Sequence, residues 1–170
     1  MAYLGVSPVL RNERLIPAVI ALLIAGIISA LDIRLFGQSW PLMWIPFVTV
    51  ALWPRRVGLW ATGLLLFFGG LWVDWTTWGA PGQWPLVFLL TYALIRPDFR
   101  EGARGLTAGM TRFTLALCVG VPVFILSGWA VYESWPDWGA LGRGVVVAVL
   151  FVPFMIFVRD KLAGRMSGND

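Results

Sequence analysis

Six runs of apolar residues follow one another along the chain, and short polar or turn-forming segments separate them. The runs cover residues 15–31, 40–53, 57–73, 84–95, 113–132 and 141–158. A helix of about 20 apolar residues spans the roughly 30 Å hydrocarbon core of a bilayer. The pattern therefore predicts an all-α membrane protein, a six-transmembrane-helix bundle. Residues 1–14 form a short lead, residues 15–158 the membrane domain, and residues 159–170 a tail.

Two of the runs are unusual. In the second, Pro41 suits a first helical turn, whereas Pro46 lies inside the run and should kink or unwind the helix. Irregular backbone at membrane depth must face protein or water, so we expect this helix to line the interior of the bundle. The fourth run would span only about 18 Å as a helix. We expect it to extend back through Pro81 or Pro85, to tilt little, or to pack against other helices.

Composition agrees with a membrane protein and narrows the chemistry. Apolar residues make up 59% of the chain and charged residues 13%, about half the share in soluble domains. The basic residues lie between the apolar runs, so topology explains the high pI and no nucleic-acid partner is expected. The chain has no histidine, and its one cysteine, Cys118, lies within an apolar run. We therefore expect no enzyme activity, no catalytic residues, no metal and no cofactor.

The basic residues predict the orientation. Of the 13 lysines and arginines, all but Arg34 and Arg143 fall on one side of a six-span arrangement. By the positive-inside rule that side is the cytoplasm, and both termini lie there. The protein is then a multi-pass membrane protein.

The first run carries a face of small side chains. These are Ala18, Ala21, Ala25 and Ser29, which recur at steps of three and four residues. Small residues at helical spacing let another helix approach closely. We expect this face to pack inside the protein or against a partner.

Asp74 is the most informative acid, because it closes the long third run. It has two interpretations. The carboxylate lies at the water interface and accepts hydrogen bonds from Thr76 and Thr77, or it lies in an outward-opening cavity, paired with Arg34, Arg143 or a partner.

Eight of the 11 tryptophans fall on the predicted outer side. They are Trp40, Trp72, Trp75, Trp78, Trp84, Trp129, Trp135 and Trp138. Tryptophan is enriched both at the membrane–water interface and in protein interfaces. Two explanations therefore remain, an interfacial belt in the membrane lipids and a surface for a partner outside the cytoplasm.

The central third of the chain carries a family-like pattern. An apolar run ends in a Pro-x-Arg-x-Gly motif, and a glycine-punctuated run, an aspartate and two further glycines follow. The residues concerned are Pro54, Arg56, Gly58, Asp74, Gly79 and Gly82. In this pattern and in its span count the chain resembles MreD, the rod shape-determining membrane protein family.

The resemblance implies a non-catalytic subunit of the bacterial cell-elongation machinery. Such a subunit would bind MreC and help couple the cytoplasmic MreB filaments to RodA and a penicillin-binding protein. The family is also similar in fold to the membrane substrate-binding subunits of energy-coupling-factor vitamin transporters. This implies an outward-opening pocket surrounded by the short fourth run and the kinked second run, which carries Trp44 and Pro46. A vitamin-transporter subunit is therefore the alternative function.

Overall fold

The computed structural model describes residues 15–35, 38–53, 58–95 and 106–167. Helices dominate these residues, and a short hairpin joins the first two. The elements are α1 (Leu15–Ser29), β1 (Asp32–Leu35), β2 (Gln38–Pro41), α2 (Ile45–Ala51), α3 (Leu59–Thr77), α4 (Gln83–Ile95), α5 (Leu106–Tyr132) and α6 (Trp138–Ser167). The described part of the chain thus holds six helices, in the order that the apolar runs predict.

The prediction of one helix over residues 40–53 is wrong. The first part of that run pairs as strand β2 with β1, with Ile33 opposite Trp40. Helix α2 begins only at Ile45, so Pro46 lies in its first turn, where proline breaks no hydrogen bond, and not in the middle of a helix. With seven residues, α2 is about 10 Å long and cannot cross a bilayer by itself.

Helix α2 lies inside the bundle, as the position of Pro46 led us to expect. All its residues from Ile45 to Val50 are buried. Phe47 and Val48 are fully enclosed, and the hydroxyl of Thr49 donates to the carbonyl oxygen of Pro46 at 2.6 Å. The longer helices α1, α4, α5 and α6 all contact this short helix. The broken second segment is therefore shielded by protein, as irregular backbone at membrane depth requires.

One end of the molecule, the hairpin end, gathers the β1–β2 hairpin and the turns between α3 and α4 and between α5 and α6. Asp74 of α3 accepts a hydrogen bond from the backbone of Trp84 in α4, and the Trp84 ring packs on Phe124 of α5. Arg143 of α6 donates through Nε to the carbonyl oxygen of Ser39 in β2 at 2.8 Å. These contacts lie at the hairpin end and involve five elements, α3, α4, α5, α6 and β2.

At the opposite end, α5 meets α6 and the end of α2. A methyl group built on Gly109 of α5 would overlap Ile156 of α6 and lie 3.9 Å from Leu52. Because the start of α5 contacts the far part of α6 here, the two helices run in opposite directions. Helices α3 to α6 therefore alternate in direction.

Glycines allow three helices to approach closely. A methyl group on Gly26 of α1 would lie 2.6 Å from the Trp72 ring of α3, and one on Gly70 of α3 would lie 2.6 Å from Pro85 Cα of α4. Leu22 likewise fills the space beside Gly69. Gly26 of the first run therefore allows close packing inside the protein.

The small-residue face of α1 also takes part in packing inside the protein. Ala25 and Ser29 are buried, whereas Ala18 and Ala21 are partly buried. Ala25 packs in a cluster with Leu42 and Ile45, which precede and begin α2. Of the two uses expected for this face, packing within the molecule is the one found at Ala25.

Three helices are long and apolar enough to cross a membrane, by length and composition. They are Leu59–Thr77, Leu106–Tyr132 and the Trp138–Phe157 part of α6, whereas α1 and α4 are apolar but shorter. Large apolar side chains also cover their outer surfaces, for example Leu126 at 62% and Leu150 at 72% exposed. An exterior of this kind is suited to lipid. The chain is therefore a membrane protein.

Candidate functional site at the hairpin end

Asp74 lies in the last turn of α3 and is buried, with 5% of its surface exposed. Its carboxylate accepts two backbone hydrogen bonds from the start of the next helix. Oδ2 accepts from the N–H of Gly82 at 2.7 Å, and Oδ1 accepts from the N–H of Trp84 at 3.1 Å. The side chain thus ties the end of α3 to the beginning of α4.

These bonds complete the N-terminus of α4, where backbone N–H groups lack partners within the helix. The N–H of Gln83 donates to Ala80 O at 3.0 Å, and that of Leu86 donates to Gly82 O at 3.1 Å. Pro85 has no N–H, and Trp84 donates to Asp74. Every backbone donor from Gln83 to Leu86 is therefore satisfied. A negative charge at a helix N-terminus also interacts favourably with the helix dipole.

Two residues with positive φ shape the connecting turn, whereas Gly79 has room for a methyl group at ordinary contact distance. Gly82 has a φ of 91°, which favours glycine although its Cβ position is open. A methyl group on Gly79 would lie 3.7 Å from Asp74 Oδ1. Trp78 ends α3 in the left-handed conformation, with a φ of 53°. The family-like residues Asp74, Gly79 and Gly82 therefore meet in one compact turn.

Asp74 bonds none of the four residues of this chain that were expected as its partners, Thr76, Thr77, Arg34 and Arg143. The hydroxyls of Thr76 and Thr77 both donate to the carbonyl oxygen of Val73, at 3.0 and 2.8 Å. Arg143 instead bonds the hairpin. Hydroxyls within a helix commonly bond the carbonyl three or four residues before them, which explains the first difference. Asp74 meets backbone N–H groups because α4 begins beside it.

Gln83 extends the connection to a third helix. It is buried, and its Nε2 donates to the carbonyl oxygen of Phe124 in α5 at 3.0 Å. The Ser127 hydroxyl donates to the same oxygen at 3.1 Å. We call Asp74, Gly82, Gln83, Trp84 and Phe124 the α3–α4–α5 latch. It fixes the hairpin-end positions of three helices.

An aromatic cluster packs against Trp84 and Phe124 of the latch. The Trp44 ring lies 5.4 Å from Phe47, 5.5 Å from Trp84 and 5.2 Å from Phe124, measured between ring centroids. Trp44 and Trp84 are essentially unexposed. Trp84 was expected at the outer surface with the other tryptophans and is instead in the core, because it faces α2 and α5 from the first turn of α4.

Exposed tryptophans surround the same end. Trp129, Trp135 and Trp138 contact one another in sequence. The first pair is tilted by 32° with ring centroids 6.4 Å apart, and the second pair is stacked with centroids 6.1 Å apart. Their exposed fractions are 49%, 64% and 57%. We call these three residues the tryptophan ladder. It crosses the connection between α5 and α6.

The structure groups some of the predicted site residues and separates others. Asp74, Gly79 and Gly82 form the turn described above, Trp44 belongs to the aromatic cluster, and Pro46 begins α2. Pro54 and Arg56 lie outside the described residues, as do residues 1–14 and 96–105. The described residues contain no group of three or more His, Cys, Asp or Glu side chains arranged to hold a metal ion.

Sequence reasoning missed Gln83 and the stacking in the ladder. Gln83 is the one strongly polar side chain between Pro81 and Thr91, and an isolated amide at the start of an apolar run indicates a buried hydrogen bond. Comparisons with family models, with curated proteins and with solved structures found no match to this chain. The site therefore rests on its own geometry.

Proposed function

We propose that this chain is a non-catalytic subunit of the bacterial cell-elongation machinery, similar to MreD. Six segments cross the inner membrane, with both termini in the cytoplasm. The subunit binds the single-span protein MreC and helps couple the MreB cytoskeleton to RodA and a penicillin-binding protein. The basis is the resemblance in sequence, and the turn between α3 and α4 supports it because two of the family-like residues, Asp74 and Gly82, are joined there by a hydrogen bond.

The tryptophan ladder is the observation that carries the binding function. Exposed indoles that contact one another present a large apolar area that is already ordered, so the indoles lose little side-chain entropy when a partner binds. Glu133 and Asp137 lie between the three rings in sequence and are exposed. An apolar platform with acidic neighbours suits a partner segment of apolar and basic residues.

The hydrogen bonds of the latch support a binding function at the hairpin end over a catalytic one. The Gly82 and Trp84 N–H groups occupy both carboxylate oxygens of Asp74, and the amide of Gln83 is bonded to Phe124. These groups hold α5, the helix that carries Trp129 of the ladder. A rigid base of this kind keeps a binding surface in one geometry.

Site-specific photocrosslinking tests the proposal. A photoreactive phenylalanine replaces Trp135 in the full chain, expressed in its own host, and a matched variant carries it at Leu150, which is 72% exposed on α6. We expect an adduct with MreC from position 135 and none from position 150. Equal yields at the two positions would contradict a defined partner surface.

Native mass spectrometry of the purified protein distinguishes the scaffold function from the alternative, a vitamin-transporter subunit. A vitamin retained at near one molecule per chain, together with no MreC adduct from position 135, would overturn the proposal in favour of a transporter subunit. Retention of MreC during mild purification without such a ligand is the result that the scaffold function predicts.

A further inference from the structure

The β1–β2 hairpin has one covered edge and one open edge. Along β2, Arg143 of α6 donates to the carbonyl oxygen of Ser39, and a methyl group built on Gly144 would lie 3.3 Å from the carbonyl oxygen of Pro41. Helix α6 thus covers the outer edge of β2. Among the elements of the described chain, β2 alone makes extensive contact with β1. We call the outer edge of β1 the open edge.

The register shows which backbone groups lie on the open edge. In an antiparallel pair of strands, residue pairs that exchange two hydrogen bonds alternate with pairs that exchange none. Ser39 directs its carbonyl oxygen to α6, so its pair with Arg34 is of the second kind. The pair of Asp32 with Pro41, two residues along, is then of the same kind, which agrees with the missing N–H of Pro41. The backbone N–H and C=O groups of Asp32 and Arg34 therefore point away from β2.

These outward backbone groups can bind another strand. The backbone hydrogen bonds that the described residues make outside the helices and the hairpin involve neither Asp32 nor Arg34. An unpaired strand edge is a template for an extended segment, and several classes of binding domain take up a peptide in this way. A two-stranded hairpin is only marginally stable by itself. A third strand would therefore stabilise the hairpin to which it binds.

The exposed side chains of β1 give the open edge a chemical preference. Ile33 is 43% exposed, and Arg34 is exposed on the other face of the hairpin. Side chains of neighbouring strands pair across the ladder, and apolar pairs and pairs of opposite charge stabilise it. The segment that fits has an apolar residue beside Ile33 and an acidic residue beside Arg34. An extended segment in which apolar and acidic residues alternate meets both requirements.

The direction of the hairpin narrows the kind of partner. Ser39 bonds Arg143 near the start of α6, whereas Ile45 shares a cluster with Phe151, further along that helix. Strand β2 therefore leads into the bundle along α6, and the hairpin points out of the bundle, roughly along the helix axes. Helix α1 ends at Ser29, and β1 begins three residues later. A third strand would have the direction of a chain that leaves the membrane beside α1.

We propose that the open edge of β1 binds an extended segment of the single-span partner, next to its membrane span, as the third strand of the hairpin. The identity of this partner rests on the proposed function, whereas the open edge does not. The segment bonds the outward backbone groups of Asp32 and Arg34, and its apolar and acidic residues alternate. The tryptophan ladder and the open edge then contact different parts of the same protein.

Photocrosslinking in the host membrane tests this. A photoreactive phenylalanine replaces Ile33 in the full chain. A matched variant carries it at Gln38, which is exposed on the same face of the hairpin but lies one strand further from the open edge. We expect position 33 to form an adduct with the single-span protein that position 135 captures, and position 38 to give a several-fold lower yield. Peptide mapping should place the adduct beside the partner's membrane span.

Replacement of Arg34 distinguishes the backbone from the side chain. Arg34→Pro removes an outward N–H but no hydrogen bond of the hairpin, and proline is tolerated on a strand edge. It should lower the adduct yield from position 33 at least about tenfold, because a carbonyl oxygen of the partner loses its donor. Arg34→Ala keeps the N–H and should lower the yield by no more than about threefold.

The outcomes distinguish this inference from the proposed function. A partner adduct from position 135 with none from position 33 would overturn the third strand and leave the proposed function standing, whereas no adduct from either position would overturn both. Equal yields from positions 33 and 38, or equal losses in Arg34→Pro and Arg34→Ala, would also overturn the third strand. An adduct of position 33 with a second copy of this chain or with a different protein would overturn the choice of partner. The comparison of positions 33 and 38 requires no proline, so it stands even if Arg34→Pro fails to fold.

Discussion

At the residue scale, Asp74 joins two helices through charge-assisted hydrogen bonds. In Asp74→Asn the side chain keeps one accepting oxygen, and its NH₂ group faces a backbone N–H that has lost its partner. We expect a loss of about 1.5–3 kcal/mol in the free energy of unfolding, because hydrogen bonds to charged groups contribute about that much and a buried donor is left unpaired. Thermal unfolding in a mild detergent measures the change.

Asp137 offers a matched control for this prediction. Its Oδ1 accepts from the N–H of Gly139 at 2.8 Å at the start of α6, but the site is exposed. Asparagine caps helices about as well as aspartate, so Asp137→Asn should change stability by less than about 0.5 kcal/mol. If the two variants lose the same stability, the buried position of Asp74 has no special importance.

The importance of Asp74 could be predicted from the sequence, but its partners could not. A carboxylate at the end of a long apolar run is easy to recognise in a sequence, because a charge at membrane depth is energetically unfavourable. Its bonds, however, reach eight and ten residues ahead, to Gly82 and Trp84, and depend on how the turn folds back. No local spacing rule connects these positions, whereas Thr76 and Thr77 are the near neighbours that such rules suggest.

At the element scale, the contact between α3 and α4 depends on a missing side chain. In Gly70→Ala the new methyl group would lie 2.6 Å from Pro85 Cα, and backbone cannot move aside as a flexible side chain can. We expect a loss of about 1–3 kcal/mol, the usual cost of overpacking. Chemical denaturation in mixed detergent micelles measures the loss.

Gly63 of the same helix provides the control, because a methyl group there has no atom within 4 Å. Alanine also favours helix by about 1 kcal/mol over glycine in an exposed helix. Gly63→Ala should therefore be neutral or stabilising. Equal destabilisation at both positions would mean that flexibility, and not close packing, is the reason for the glycines.

The elements that were predicted best are those with long apolar runs. Helices α3, α5 and α6 follow from such runs, and only their ends moved, since α5 begins seven residues before Phe113. The hairpin was missed although Asp32, Ile33, Arg34 and Leu35 alternate in polarity, which is a strand signal. An alternating pattern of only four residues is weak evidence for a strand. The long apolar run beside it favoured a membrane-spanning helix instead.

At the scale of the whole molecule, position in the chain alone did not predict that Trp84 is buried. Trp78 and Trp84 both flank the turn between α3 and α4, yet the first is 92% exposed and the second 1%. Their environments differ because Trp78 ends a peripheral helix, whereas Trp84 begins a helix that packs on α5 and the central α2. Only the arrangement of all the helices distinguishes an indole for lipid or a partner from an indole in the core.

The orientation of the whole molecule gives the last prediction. Helix α5 has exposed positions near both of its ends, Thr107 at its start and Ser134 just beyond its end. Arg104 and Arg112 flank the first, so the positive-inside rule places it in the cytoplasm and Ser134 outside. In a Cys118→Ala background, a membrane-impermeant maleimide should label Ser134→Cys in intact spheroplasts and Thr107→Cys only after permeabilisation. The reverse pattern would invert the orientation, and it would place the tryptophan ladder in the cytoplasm, where the proposed periplasmic partner could not reach it. Labelling of both cysteines before permeabilisation would show that α5 does not cross the membrane.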